Sequence, residues 1–226
     1  NMYTYSSDDR DLSNNKDYDD FLAHYEFVIK ETNRLLKKGR IVAIHCMDIP
    51  QTGNKGLIDL PSDIVRLHKQ NGFVYWDKKI IWKDPLLAAI RTRQKALVHH
   101  QLVKDSVQCR GALPDYILVF KKVGDNQTEV SHEYGLTKYA GDINLMNEED
   151  KKDYEYLRRK YIHYTDDKTN KLSQFIWKRY ADCMWTDIRS DKFLEYKKAR
   201  DKDDERHLTP TSLDAIERLV TMYSNK

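Results

Sequence analysis

The 226 residues are 40% hydrophobic and 33% charged, enough apolar material for one substantial core with a smaller subdomain attached. Lys and Arg number 39 against 36 Asp and Glu, a net charge of only +3, so any binding of nucleic acid has to come from local patches. Cys46, Cys109 and Cys183 form no CxxC pair, and no run reaches the roughly 20 apolar residues of a membrane helix, which argues against a disulfide framework, a metal site or a membrane partner and favours a soluble cytoplasmic protein.

The opening stretch to Asp20 is polar and reads as a loop carrying Tyr3, Tyr5 and Tyr18. From Asp19, Phe21, Leu22, Tyr25, Val28, Ile29, Leu35 and Leu36 recur at helical spacing, and Lys37-Lys38-Gly39 supplies a positive last turn and a glycine stop. RIVAIHC follows as a β-branched run expected to be a strand buried on both faces. After the loop MDIPQTGNKGLIDLP, Ser62 is placed to cap a helix through Ile64, Val65, Leu67 and His68 that ends near Asn71-Gly72. FVYWDKKIIW predicts a second strand, residues 86–105 a third helix, and DYILVFKK a third strand.

Beyond Lys122 the aliphatic runs thin out and Tyr, Lys, Asp and Arg take over. KKDYEYLRRKYIHY and SQFIWKRYADCMW are the plausible helices of an inserted, less regular subdomain. The periodic pattern returns at the end, where Thr211 or Ser212 caps a helix with the expected apolar face Leu213, Ile216, Leu219, Val220 and Tyr223. Helix followed by buried strand is half of a parallel α/β repeat, so the residues alone predict an α/β domain with an inserted aromatic and basic lobe.

No GxGxxG, GxxxxGK[ST], HExxH or GxSxG occurs. His45 and Asp48 end the strand RIVAIHC, where α/β sheets bind ligands, although His45 can equally just finish a buried strand. Trp82 and Lys83 lie at a strand-to-helix junction, an aromatic and a cation suited to a base and a phosphate, with core packing and solvation as the plain alternatives. Arg91, Arg93, Lys95, Lys104 and Arg110 offer contacts to DNA phosphates or an ordinary charged helix face. The tyrosines interleaved with Lys and Arg between Tyr154 and Tyr180 are open to both stacking on bases and packing.

The order of segments resembles a known family. FLAHYEFVIKETNRLLKKGRIVAIHC is similar to the helix, turn and strand that follow the catalytic motif of S-adenosylmethionine-dependent DNA methyltransferases acting on adenine N6 or cytosine N4. GFVYWDKKIIWKDP resembles a later strand of that family, LPDYILVFKK its edge strand, and ERHLTPTSLDAIERLVTMYSN the helix leading to the cofactor-binding half. The order matches the permuted class with the catalytic half first. The resemblance implies a partial Rossmann-like fold, a mixed α/β sheet flanked by helices with an inserted lobe: residues 1–122 as the catalytic half, 207–226 as the lead into the cofactor half and, by position, 123–206 as a target-recognition insertion.

It further implies a base pocket at Tyr3, Tyr5, Trp82 and Lys83 and cofactor contacts at His45, Asp48, His207 and Pro210. Arg91, Arg93, Lys95 and Arg110 would meet DNA. S-adenosylmethionine is the implied cofactor and double-stranded DNA the implied partner. The sequence contains no Pro-Pro pair, whereas the family carries a Pro-Pro-aromatic tetrapeptide and a glycine cofactor loop. The resemblance places these just before the first residue and just after Lys226, so a chain truncated at both ends, with little activity alone, is expected. A non-catalytic DNA-binding or assembly subunit that completes its site with a partner chain or by self-association is the alternative, and an unrelated α/β enzyme a third.

Overall fold

The computed structural model describes residues 11–12, 14–51, 55–91, 98–109, 111–163, 165–166, 169–194 and 211–225. Helix α1 (Tyr18–Leu35) starts where the Asp17 carboxylate accepts the Asp20 N–H at 2.9 Å, satisfying one of the unpaired donors of the first turn. Its exit runs through Gly39, which has φ +71°, and a Cβ there would lie 2.6 Å from the backbone nitrogen of Asn126. Only glycine turns the chain into the first strand at this place.

Strand β1 (Ile41–Cys46) leads through a small ribbon, β2 (Ile49–Pro50) and β3 (Leu57–Ile58), into helix α2 (Leu60–Gln70). The cap of α2 is Asp59 rather than Ser62: the Asp59 side chain accepts from the Ser62 N–H at 3.1 Å, and Pro61 occupies the first turn, where its missing N–H costs nothing. Strand β4 (Phe73–Ile81) follows, then helices α3 (Pro85–Arg91) and α4 (Val98–Lys104) and strand β5 (Asp115–Lys122). The long helix expected over residues 86–105 is thus described as two short ones, with 92–97 outside the described residues. Helices α5 (Glu148–Tyr161) and α6 (Lys171–Ala181), strand β6 (Met184–Trp185) and helix α7 (Leu213–Tyr223) complete the order.

The main sheet has the order β1-β5-β4-β6. Strand β5 runs antiparallel to both neighbours, while β4 and β6 are parallel, so β1, β4 and β6 share a direction and end on one edge. Two expectations change here. DYILVFKK is not an edge strand but lies between β1 and β4, and Ile117, Leu118, Val119 and Phe120 are all at most 1% exposed, as an interior strand covered on both faces requires. RIVAIHC, in turn, is less buried than expected: only Cys46 of β1 is in the core, because among the described residues β1 has a hydrogen-bonded neighbour on one side alone.

The two-residue alternation of β5 separates two cores. Leu118 and Phe120 face α1 and α2 with Ile29, Ile64, Leu67 and Phe73, and His68 stacks on Phe120 with ring centroids 4.1 Å apart. Ile117 and Val119 face Ile81, Trp185 and Ala215, with Leu219, Met222 and Tyr223 of α7 packed alongside. A third core, Leu136, Tyr154, Leu172, Ile176 and Tyr180, lies in the lobe built around α5 and α6. This lobe is stitched to the sheet: β6 pairs with the end of β4 through Ile80 N–H to Cys183 O (2.8 Å) and Trp82 N–H to Trp185 O (3.0 Å).

Helix α7 corrects the expected apolar face. Ser212 caps it, but Ile216 is 40% and Val220 56% exposed, whereas Asp214 and Arg218 are fully buried. The helix turns a charged stripe inward because its charges are paired, although among the described residues Arg218 Nη1 is buried without a hydrogen-bond partner. Arg218 donates to Ala140 O from Nε (3.0 Å) and Nη2 (2.6 Å), pairs with Asp187 (3.0 Å), and lies 4.8 Å from the rings of both Tyr180 and Trp185. Asp214 accepts from Arg189 at 3.0 Å and Lys192 at 2.7 Å. Buried charge is tolerated only when so paired.

Candidate functional site

Because β1 and β4 run together and β5 runs against them, the ends of β1 and β4 and the start of β5 meet at one edge. Asp115 opens β5 opposite Ile81, and Ile117 lies opposite His45. Two residues along an antiparallel strand is a diagonal cross-strand neighbour on the same face, which brings the Asp115 carboxylate to His45. His45 Nε2 lies 3.2 Å from Asp115 Oδ2, and Lys83 Nζ 2.6 Å from Asp115 Oδ1. Lys83 Nζ also reaches Met47 Sδ at 3.8 Å. The second nitrogen of His45, Nδ1, is 3.2 Å from Thr211 Oγ1, in the turn that enters α7.

One carboxylate, 16% exposed, therefore holds two basic side chains, one on β1 and one just past the end of β4. Burial pushes the Asp115 carboxyl up, but the hydrogen bonds from His45 and Lys83 and the Lys83 charge outweigh it and leave the group below the ordinary aspartate range. It stays ionised at neutral pH. Trp82, which precedes Lys83 in the chain, is 45% exposed.

Asp48 lies just past β1 in a second cluster. Desolvation first, then the like charge of Asp59, push its carboxyl up, against the attraction of Lys78 and a hydrogen bond with Tyr116. Lys78 Nζ stands 4.1 Å from the centre of the Tyr116 ring. Cys46, below these groups, is buried, and its thiol is pushed up to about 12 by desolvation and then by Asp115 and Asp48, so it packs as an inert thiol.

Of the residues singled out in the sequence, His45 and Lys83 come together at Asp115, while Trp82 and Asp48 follow the ends of β4 and β1. Arg91 ends α3. Tyr3, Tyr5, Arg93, Lys95, Arg110, His207 and Pro210 lie outside the described residues. Sequence reasoning did not select Asp115, the group that organises the site, nor Thr211 as the contact of His45. A carboxylate opening a strand directly after Pro114 was a visible signal, but its partners follow only from the antiparallel register of β5.

The arrangement offers a fixed cation at Lys83, an exposed indole at Trp82 and, at Asp48, a carboxylate with spare acceptor capacity, since a carboxylate has about four lone-pair sites and Tyr116 engages one. His45 is spent at both nitrogens and ties the strand edge to the start of α7. Among the described residues no cluster of His, Cys, Asp and Glu could hold a metal ion, and no helix is long and apolar enough to cross a membrane.

Comparison with solved structures gives the fold a counterpart in a candidate DNA modification methylase of Thermus thermophilus. One structure of it matches with a TM-score of 0.51 and 19% identity, and a second, complexed with S-adenosyl-L-methionine, with a TM-score of 0.50 and 18% identity. Each match covers 92% of this chain and 59% of the other, so the chain spans somewhat over half of that relative. Likeness at this identity supports the partial Rossmann-like methyltransferase fold and no more. No curated protein sequence matches. The family model described as DNA methylase, for N6 and N4 methyltransferases, matches residues 2–226. The chain belongs to the N6/N4 DNA methylase family.

Proposed function

We propose that this chain contributes the base-binding side of a site-specific DNA methyltransferase that moves a methyl group from S-adenosylmethionine to adenine N6 or cytosine N4. The observation that carries the reading is the cluster at the carboxyl ends of β1 and β4, the edge at which α/β sheets bind ligands, in a chain matched by the DNA methylase family over residues 2–226. Trp82 supplies a stacking surface for an extruded base. Lys83, held by Asp115 at 2.6 Å, supplies the cation beside it.

Extruding a base costs a few kcal/mol that such contacts must offset. Asp48 and the end of β1 at His45 fit the cofactor side, where a carboxylate can accept from hydroxyl or ammonium groups of the donor. When bound, S-adenosylmethionine supplies a methyl group activated by its sulfonium. Tyr3 and Tyr5 are assigned to the base pocket, His207 and Pro210 to the cofactor side, and Arg91, Arg93, Lys95 and Arg110 to phosphate contacts. Residues 123–206 serve target recognition under this reading. The setting is cytoplasmic.

The alternative reading is a non-catalytic DNA-binding or assembly subunit whose site is completed by a partner chain. Both readings expect the purified chain to bind duplex DNA and to transfer little methyl by itself. Incubation with tritium-labelled S-adenosylmethionine and DNA of mixed sequence tests them. Background-level incorporation that rises when a chain carrying the Pro-Pro tetrapeptide and glycine loop is added supports shared catalysis. Robust incorporation by the chain alone overturns the view that its site is incomplete, and methyl found on cytosine C5 overturns the reaction class.

A further inference from the structure

Helices α5 and α6 form an antiparallel pair: Arg179, in the last turn of α6, reaches Asp150, in the first turn of α5, at 3.2 Å. Their inner faces are spent on packing, with Tyr154, Leu172, Ile176 and Tyr180 in the lobe core. The outer faces combine two features. The first is aromatic exposure. Tyr154 and Tyr180 are at most 6% exposed, but Tyr156 is 59% and Trp177 62% exposed, and large aromatic surface is not left in water without a role as readily as a charged side chain is.

The second is unmatched positive charge. Lys151 pairs with Glu148, Arg179 with Asp150, Lys138 with Glu217, and Arg189 and Lys192 with Asp214. Among the described residues, Lys160, Lys171 and Lys178 have no such carboxylate partner. Lys160 instead lies 5.6 Å from the centre of the Tyr156 ring and donates to its hydroxyl at 3.3 Å. Lys171, Gln174 and Lys178 are spaced i, i+3 and i+7, one stripe of the helix. This stripe borders a shallow cleft of about 420 Å³ that Tyr156, Leu157 and Phe175 also line, with Asp153 as its single acidic group.

We propose that this outer face of α5 and α6 is a duplex DNA backbone-binding surface, with Lys171, Lys178 and Lys160 on phosphates and Tyr156 and Trp177 against the sugar-phosphate edge. The proposal rests on the methyltransferase reading for the identity of its partner. Lys171 and Lys178 are two helical turns apart, about 10 Å, a length over which duplex DNA carries about six phosphate charges, so the two ammonium groups meet different phosphates. Neither reads sequence; the contacts set affinity and register.

The test is fluorescence anisotropy of a labelled duplex of mixed sequence, titrated with the full chain between about 50 and 200 mM salt, for the wild type and for Lys171→Gln with Lys178→Gln. Both lysines project from a surface stripe, so the double variant keeps the fold, which circular dichroism checks. Two lost phosphate contacts lower the slope of log affinity against log salt by about 2, and DNA quenches Trp177 fluorescence, a signal read as the part missing in Trp177→Phe. An unchanged slope in the double variant, with the wild type still binding, overturns this surface and leaves the methyltransferase reading standing. A wild type that binds no duplex overturns both. A double variant that changes self-association in sedimentation while its DNA slope stays the same identifies a contact between copies and also overturns the proposal.

Discussion

Asp115 carries more of the site than any other side chain. Its two oxygens hold Lys83 at 2.6 Å and His45 at 3.2 Å, and its carboxyl lies below the ordinary range despite burial. A carboxyl depressed in the folded state contributes stability above its unfolded pKa, about 3.9. That contribution is lost as pH falls through the lower folded value. Chemical denaturation of Asp115→Asn between about pH 5 and 2.5 should therefore show a shallower acid loss than the wild type, with the two curves converging at the acid end; parallel curves would contradict the pairing. Met47 meets Lys83 and Thr211 meets His45 at the same edge, so each depends on Asp115 to fix its partner.

At the level of elements, α7 is held by charge as much as by apolar contact. Asp214 is fully buried between Arg189 and Lys192, which are themselves about a third exposed, so its removal loses charged hydrogen bonds worth about 2 kcal/mol. Asp214→Ala should lower the urea midpoint accordingly without changing the slope, whereas Ile216→Ala, at a position 40% exposed, should cost far less. The reverse ranking would restore the apolar face that periodicity suggested. That face was misread because Asp214 and Arg218 look like solvent-side residues until their partners at Asp187, Arg189 and Ala140 are known, and those partners come from a segment with no regular period. The helices α1, α2, α5 and α6 and the strands β1, β4 and β5 were legible, since caps, glycine stops and β-branched runs are local signals. The position of β5 inside the sheet was not. A buried run of Ile, Leu, Val and Phe does not say which strands flank it.

For the whole molecule, the family could be read from segment order, and the structure brings His45 and Lys83 together at Asp115. What the sequence left unread was how the intervening lobe joins the sheet. Strand β6 extends it beside β4, and the buried Arg218 ties α7 to Ala140 and Asp187, so the lobe and the final helix are anchored to the same framework that carries Lys83. Under the proposed function this framework presents Trp82 and Lys83 to DNA. Trp82 is 45% exposed, so its loss leaves the core intact, and stacking of a base on an aromatic side chain is worth about 1–3 kcal/mol. The most direct measurement is the dissociation constant of duplex DNA for the wild type and Trp82→Ala at one fixed salt concentration. A loss of about tenfold or more, with unchanged thermal stability, is the predicted result; equal affinities would contradict it.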